Sequence, residues 1–527
     1  MEGIAERLPA IFNVAAYFLE HNLAAGNGQK IALFYQDDTY TYNQLSYHVQ
    51  SAAQLLLNLG LKRENRIAIL CPDTPELFFA FWGAIWIGAI PVPINTACGI
   101  DEVHYILQDS RATILLTTAA WQEKLGSVQF PFLRHTLLQD GDNPFLSQLH
   151  EQVKPDQQVA ERLPPAETSR EEPAFWLYTS GSTGRPKGTI HLHQSMVVCA
   201  ECYGKATLGL KQDDITYSVA TIPFAYGLGN TLYMPMAVGA ATILSDASNA
   251  FDIIADVERY RPTVFFAIPS VYANILAVRD IAPLDASSLR LSVSAAEQLP
   301  EPIWQQWREI YNQEICEGIG TTEFLHIFLS NRLGHCKPGT SGYPVPGYDV
   351  RVVSENGYPC PVGEVGDLLV SGESLMLGYW NRVQETRKAL YGTTMRTGDK
   401  YRRDADGYFQ FMGRKDDLFK VNGQWVSPLE IEAVLHEHAQ VLEVAVVPEA
   451  DEIEQLMGVV AYICPQPGQE PSPELETSIY RFAKQQLPHF KAPKAIRFVE
   501  RLPRTSTGKV HRKSLQQTKV LAINTSD

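Results

Sequence analysis

The sequence predicts an α/β protein. A large N-terminal domain of layered α/β subdomains, residues 1–414, carries a small antiparallel β-barrel and is followed by a small C-terminal α+β domain, residues 417–527. Three observations predict this. Early segments alternate between buried-strand and amphipathic-helix patterns, the texture of layers built on mostly parallel sheets. Between about 340 and 412 the chain changes to short strands broken by Gly and Pro, which suits a small antiparallel barrel or sheet. Beyond 417 a compact β/α set has the length of a small domain.

In order along the chain, "YNQLSYHVQSAAQLLLNLG" (42–60) has the 3.6-residue period of an amphipathic helix, with Gly60 as its stop. "RIAIL" (66–70) and "ATILLTT" (112–118) read as buried strands. Leu77 to Ile94 is uncharged for about the length of a membrane-spanning helix. Gly88, placed like a helix C-cap, and the prolines of "IPVPI" favour a buried helix turning into a core strand instead. "TVFFAIP" (263–269) and "LRLSVSA" (289–295) repeat the strand pattern beside a helical stretch at 300–312. "GYDVRVVSENGYPCP", "GDLLVSG" and "DGYFQFMG" supply the short strands, with hairpin signals at Asn356-Gly357 and Asp406-Gly407. "SPLEIEAVLHEH", "VLEVAVVPEA", "GVVAYICP" and "PELETSIYRFAKQQL" make up the last domain, and the polar tail after about Leu515 is expected to fray.

A net charge of −15 excludes a global basic footprint for nucleic acid. Eight scattered cysteines, with an N-terminus that lacks the pattern of a secretion signal, suit a reducing, cytoplasmic setting. No membrane partner is expected, and the chain is read as a monomer or homodimer.

The stretch "YTSGSTGRPKG" (178–188) concentrates glycines and hydroxyls in one loop. Glycines let backbone N–H groups converge on an anion, hydroxyls add donors, and Lys187 adds charge. Thr179, Ser180, Gly181, Ser182, Thr183, Gly184 and Lys187 are therefore candidate phosphate contacts. The order does not fit a Walker loop, which needs Gly-Lys-Ser/Thr opening a helix.

This loop resembles the phosphate loop of the adenylate-forming superfamily: acyl-CoA synthetases, peptide-synthetase adenylation domains and luciferases. Four further segments match in order: "GIGTTE" (318–323), "RTGD" (396–399), "GRKDD" (413–417) and "PRTSTGKVHR" (503–512). The resemblance implies that ATP is attacked at its α-phosphorus by a carboxylate, with AMP and diphosphate released. It implies an AMP-binding N-terminal domain and a mobile C-terminal domain that rotates about Asp416, with the hinge at 415–417. By the same resemblance, Thr322 donates to the α-phosphate, Glu323 helps hold Mg2+, Asp399 chelates the ribose and Lys509 reaches the transition state. Ala296, Glu297, Gly318, Ile319 and Arg414 complete the implied nucleotide set. A point charge on a mobile arm and fixed phosphate donors are what such a displacement needs.

"PFAYGLGN" (223–230) and "GIGTTEFLHIFLSNR" (318–332) resemble the corresponding segments of benzoate–CoA ligases. That likeness implies an aryl carboxylate pocket lined by Ala225, Tyr226, Gly320, His326 and Ile327, with His326 hydrogen-bonding or charge-pairing with the carboxylate. "KVNGQWVSPLEIE" (420–432) resembles the loop that meets pantetheine, which implies Gly423 and Trp425 beside coenzyme A or the phosphopantetheine of an acyl or aryl carrier protein. The reading is an acid–thiol ligase using ATP, Mg2+ and coenzyme A. Its rivals are transfer to a carrier protein and a non-catalytic nucleotide- or acid-binding relative. Two departures stand out: Ile319 replaces an aromatic that commonly stacks on adenine, and Ala296 stands where Gly is usual. His191, His193, Cys199 and Cys202 invite a zinc reading, but the spacing lacks a second ligand pair. The histidines are expected to cap or brace the phosphate loop instead.

Overall fold

The computed structural model describes residues 3–140, 144–152, 163–179, 185–414, 419–421, 424–450, 457–504 and 510–517. The chain divides into two compact units, residues 1–350 with 369–396, and residues 351–368 with 397–527.

The first unit is built on a nine-stranded sheet. Its strands run in the order Tyr343–Pro344, Ile327–Ser330, Ile315–Gly320, Leu291–Ser294, Val264–Ala267, Ile215–Ser218, Ala241–Leu244, Ile31–Tyr35 and Asp38–Thr41. From Ile315–Gly320 to Ile31–Tyr35 every neighbouring pair is parallel, and the two edges are antiparallel. The central strands are buried on both faces, so even their polar residues Thr216, Thr242, Ser292 and Ser294 are buried. Helix Ala250–Tyr260, capped by the Asn249 side chain on the Asp252 N–H, turns Ile253, Ile254 and Val257 inward. Beside it, the fully buried Trp307 ring of helix Glu301–Tyr311 meets Tyr272 edge-on at 4.8 Å.

A four-stranded parallel sheet follows the order Ile90–Pro93, Arg66–Leu70, Ile114–Thr117, His135–Leu138. Helix Tyr42–Asn58 starts in a capping box between Thr41 and Gln44. The uncharged stretch resolves as expected for a core element. Helix Pro75–Trp86 buries every residue, and Gly88, at φ 72°, ends it. Bonds from Ala89 N–H to the Ala84 carbonyl and Gly88 N–H to the Ile85 carbonyl close a Schellman motif before strand Ile90–Pro93. Among the described residues, no helix is long and apolar enough to cross a membrane.

The arms of the glycine-rich loop are antiparallel strands, Pro173–Thr179 and Lys187–Leu192, with Thr179 opposite Lys187. Strand Gly378–Tyr379 adds to the second arm. The expected barrel is a five-stranded sheet: Asp349–Val353, Gly366–Ser371, Thr394–Arg403 and Leu390–Tyr391, with Phe409–Arg414 on Thr394–Arg403. No pair closes it among the described residues.

In the second unit, Asp399 faces Arg414 across an antiparallel pair, and a buried ion pair joins Lys400 to Asp367 at 2.8 Å. Further on, Val441–Ala450, Met457–Pro465 and Ala495–Phe498 form a mixed three-stranded sheet. Helices Pro428–His436 and Pro473–Gln486 close over it through Ile431, Leu435 and Ile479. The expected hinge at 415–417, including Asp416, lies outside the described residues.

Candidate active site

Within the first unit, most of the described candidates gather along one edge. Ala225 and Tyr226 open the short helix after strand Ile215–Ser218; Ala296 and Glu297 follow strand Leu291–Ser294; Gly318, Ile319 and Gly320 end strand Ile315–Gly320. All stand at the carboxyl ends of parallel strands, where open α/β sheets bind ligands.

Thr322 and Glu323 lie in a single 3-10 turn, Thr322–Phe324, between that strand and the antiparallel strand Ile327–Ser330. Leu325 ends the turn at φ 66° although it is a fully buried leucine, a conformation that L side chains rarely adopt. The turn is held from three sides. His191 Nε2–H donates to the Thr322 carbonyl at 2.8 Å, and its ring stacks on Phe175 at 5.2 Å. Burial holds the His191 pKa down to about 4, so the ring is neutral and keeps one proton for this bond. Met376 N–H donates to the Glu323 carbonyl at 2.8 Å. The Tyr379 hydroxyl donates to Glu323 Oε1 at 2.5 Å. Lys187 Nζ sits over the Tyr379 ring, 4.2 Å from its centre.

Among the described residues, no group of three or more His, Cys, Asp or Glu is arranged to hold a metal. His193 accepts from Val14 N–H at 3.2 Å, so it caps helix Val14–Ala24 rather than the phosphate loop, and His191 braces the Thr-Glu turn.

Tyr226 donates from its hydroxyl to the Val293 carbonyl at 3.2 Å and lies beside His326, ring centres 5.7 Å apart. Tyr203 stands on another side of His326 at 5.1 Å. A Cβ at Gly229 would lie 2.3 Å from His326 Cδ2, so glycine is what leaves room for that ring. Gly320 pairs with Ile327, itself fully buried. Burial pushes the His326 pKa down to about 3. Of the two roles expected for it, hydrogen bonding and charge pairing with a carboxylate, a neutral imidazole favours the first. Nε2–H is used on the Tyr226 carbonyl at 3.3 Å, and the buried Nδ1 has no hydrogen-bond partner among the described residues.

Among the expected nucleotide contacts, the exposed Ala296 adopts φ 75°, a conformation that glycine takes without strain. Glu297 and Ile319 are half-buried and Gly318 is buried. In the second unit, Arg414 Nε pairs with Asp399 Oδ1 at 2.9 Å, so these two candidates meet. Ser180, Gly181, Ser182, Thr183, Gly184, Gly423 and Lys509, with the side chain of Trp425, lie outside what is described. The sequence reading missed His191 as a brace of the turn, and missed Tyr379 and Glu317. Glu317 is buried one residue before Gly318, accepts from Leu299 N–H at 3.2 Å, and has its pKa raised to about 8 by burial. "GYW" at 378–380 was the one visible signal for Tyr379, and nothing in it tells where the ring lies.

The AMP-binding enzyme family model matches residues 19–380, and the AMP-binding enzyme C-terminal domain matches residues 430–509. The chain belongs to the AMP-binding enzyme family. Within this adenylate-forming superfamily it is 38% identical, over 98% of its length and 96% of the relative's, to a 4-hydroxybenzoate–CoA/benzoate–CoA ligase of Rhodopseudomonas palustris. Among solved structures it resembles the anthranilate CoA ligase AuaEII in complex with anthranoyl-AMP, with TM-score 0.90, 36% identity and 97% and 98% of the two chains covered. A benzoate CoA ligase from Burkholderia xenovorans LB400 matches with TM-score 0.86 at 36% identity, covering 96% and 100%. With Oε1 bonded to the Tyr379 hydroxyl, the half-buried Glu323 is a single carboxylate whose chemistry is compatible with Mg2+. That ion commonly takes one or two carboxylates together with substrate phosphate oxygens.

Proposed function

We propose that the protein is an AMP-forming acid–thiol ligase that activates an aryl carboxylate of the benzoate class with ATP and transfers the acyl group to coenzyme A. The observation that carries the reading is the gathering of the Thr322–Glu323 turn and the Tyr226–His326 pair at the carboxyl edge of one parallel sheet, with Lys187 seated on Tyr379 beside Glu323. The relatives named above, which are coenzyme A ligases, support it.

Thr322 is assigned to the α-phosphate, and the carboxyl edge of the sheet orients the two reactants for in-line attack. Glu323 would help hold Mg2+, which would supply charge neutralisation at the phosphate oxygens. Lys187 is assigned to the outer phosphates, Asp399 and Arg414 to the ribose, and Lys509 to the transition state. Gly423 and Trp425 are assigned to the pantetheine arm, and Asp416 to the hinge. Ala225, Gly320 and Ile327 bound the ring.

His326 refines the substrate. With Nε2–H committed to the Tyr226 carbonyl, Nδ1 is an acceptor, so a ring hydroxyl or amino group is the complementary substituent. Exchange of labelled pyrophosphate into ATP, measured across benzoates, cinnamates and short fatty acids, tests the reaction. Exchange with hydroxy- or aminobenzoates is expected to exceed that with their methoxy counterparts by about 3–10-fold, the worth of one hydrogen bond. No exchange with any acid contradicts the ligase; a methoxy preference contradicts only the substituent. Lys509→Ala is expected to lower exchange by about 10²–10³-fold while sparing thiol transfer from a supplied acyl-adenylate. Equal loss in both halves contradicts its role.

A further inference from the structure

We propose that Tyr379 is a positioning residue for adenylation: it fixes the phosphate-side lysine and the metal-side carboxylate relative to each other. The proposal rests on the assignment of Lys187 to phosphate and Glu323 to Mg2+.

Tyr379 touches both groups with different parts of one side chain. Its hydroxyl donates to Glu323 Oε1 at 2.5 Å, and its ring face lies under Lys187 Nζ at 4.2 Å. Tyr379 is buried, and its two partners, Lys187 and Glu323, are half-buried. Its backbone is fixed by the strand that carries the lysine, since Tyr379 pairs with Thr189 and Gly378 with Ile190. Leu377 N–H to the Ile190 carbonyl at 2.9 Å and Trp380 N–H to the Gly188 carbonyl at 2.8 Å continue that zipper. Met376 N–H, in the same segment, holds the Glu323 carbonyl at 2.8 Å. One short segment thus sets where the lysine rests and which way the carboxylate faces.

Two consequences follow. A hydrogen bond to one carboxylate oxygen restrains the group's rotation and leaves the other oxygen for a cation; partners of this kind typically change metal affinity 10–100-fold when removed. The ring's negative face seats the Lys187 ammonium and so fixes where it rests relative to the phosphate side.

The test uses Tyr379→Phe, which deletes the hydroxyl and keeps the ring, and Tyr379→Leu, which deletes both. Mn2+ binding in the presence of ATP is followed by the electron paramagnetic resonance signal of free Mn2+, and ATP binding without metal by calorimetry. Tyr379→Phe is expected to weaken Mn2+ binding about tenfold while metal-free ATP affinity stays within about twofold. Tyr379→Leu is expected to weaken metal-free ATP binding a further 2–5-fold, through the freed lysine. Glu323→Gln serves as the reference. Unchanged Mn2+ affinity in Tyr379→Phe, with a loss in Glu323→Gln, overturns this proposal alone. Unchanged affinity in Glu323→Gln overturns the metal assignment and the proposal with it.

Discussion

Ala296 carries a Cβ in a left-handed conformation, which costs a non-glycine residue about 1–2 kcal/mol. Glycine there relieves that cost but adds chain entropy to the unfolded state, at about 0.4–1 kcal/mol. Ala296→Gly is therefore expected to stabilise the protein by up to about 1 kcal/mol, read as a higher urea midpoint at unchanged slope. A lower midpoint would contradict it. The departure from Gly was legible in the sequence; its backbone angle was not, because no pattern of residues around 296 encodes it. His326 makes the same point from the other side. Its motif placed it beside the acid, but only its burial and its bond to the Tyr226 carbonyl determine that it is neutral and which nitrogen is left as an acceptor.

At the scale of elements, strands such as Arg66–Leu70 and helices such as Tyr42–Asn58 follow from local periodicity, and the sequence reading placed them within a few residues. The Thr322–Phe324 turn is different. Its conformation depends on a histidine 131 residues away in sequence and on the segment around Tyr379. Contacts of that separation leave no periodic trace, so the motif was visible and its support was not. His191→Phe keeps the stacking ring but strands the Thr322 carbonyl. It is expected to cost about 1–3 kcal/mol of stability and to slow adenylation, checked by urea unfolding and pyrophosphate exchange. Neither effect would mean that the turn stands without the brace. The barrel-like sheet belongs with the legible elements: Gly- and Pro-broken strands announced the antiparallel pairing that Gly366–Ser371, Thr394–Arg403 and Phe409–Arg414 make.

Across the first unit as a whole, buried ionisable groups set opposing pH responses. His191 and His193 are held near pKa 4 and His326 near 3, below the ordinary 6.5, so the unfolded chain binds more protons there and acidification below about 6.5 destabilises the fold. Asp73 and Glu317 are raised to about 7 and about 8, so the folded chain holds protons that the unfolded chain releases above about 4–4.5. The three histidines offset the two acids below 6.5, and above it only the acids act. Thermal melts are expected to peak near pH 6–7 and fall toward pH 8. Glu317→Gln should flatten the alkaline limb by up to about 1.4 kcal/mol per pH unit. Stability that rises steadily from pH 6.5 to 8 would contradict this.

The most direct measurement is a crystal structure with a non-hydrolysable hydroxybenzoyl-adenylate analogue. The account predicts its phosphoryl group beside Thr322, its ring against Tyr226, and its ring hydroxyl within hydrogen-bond distance of His326 Nδ1. An analogue seated away from the carboxyl edge of the nine-stranded sheet would contradict it.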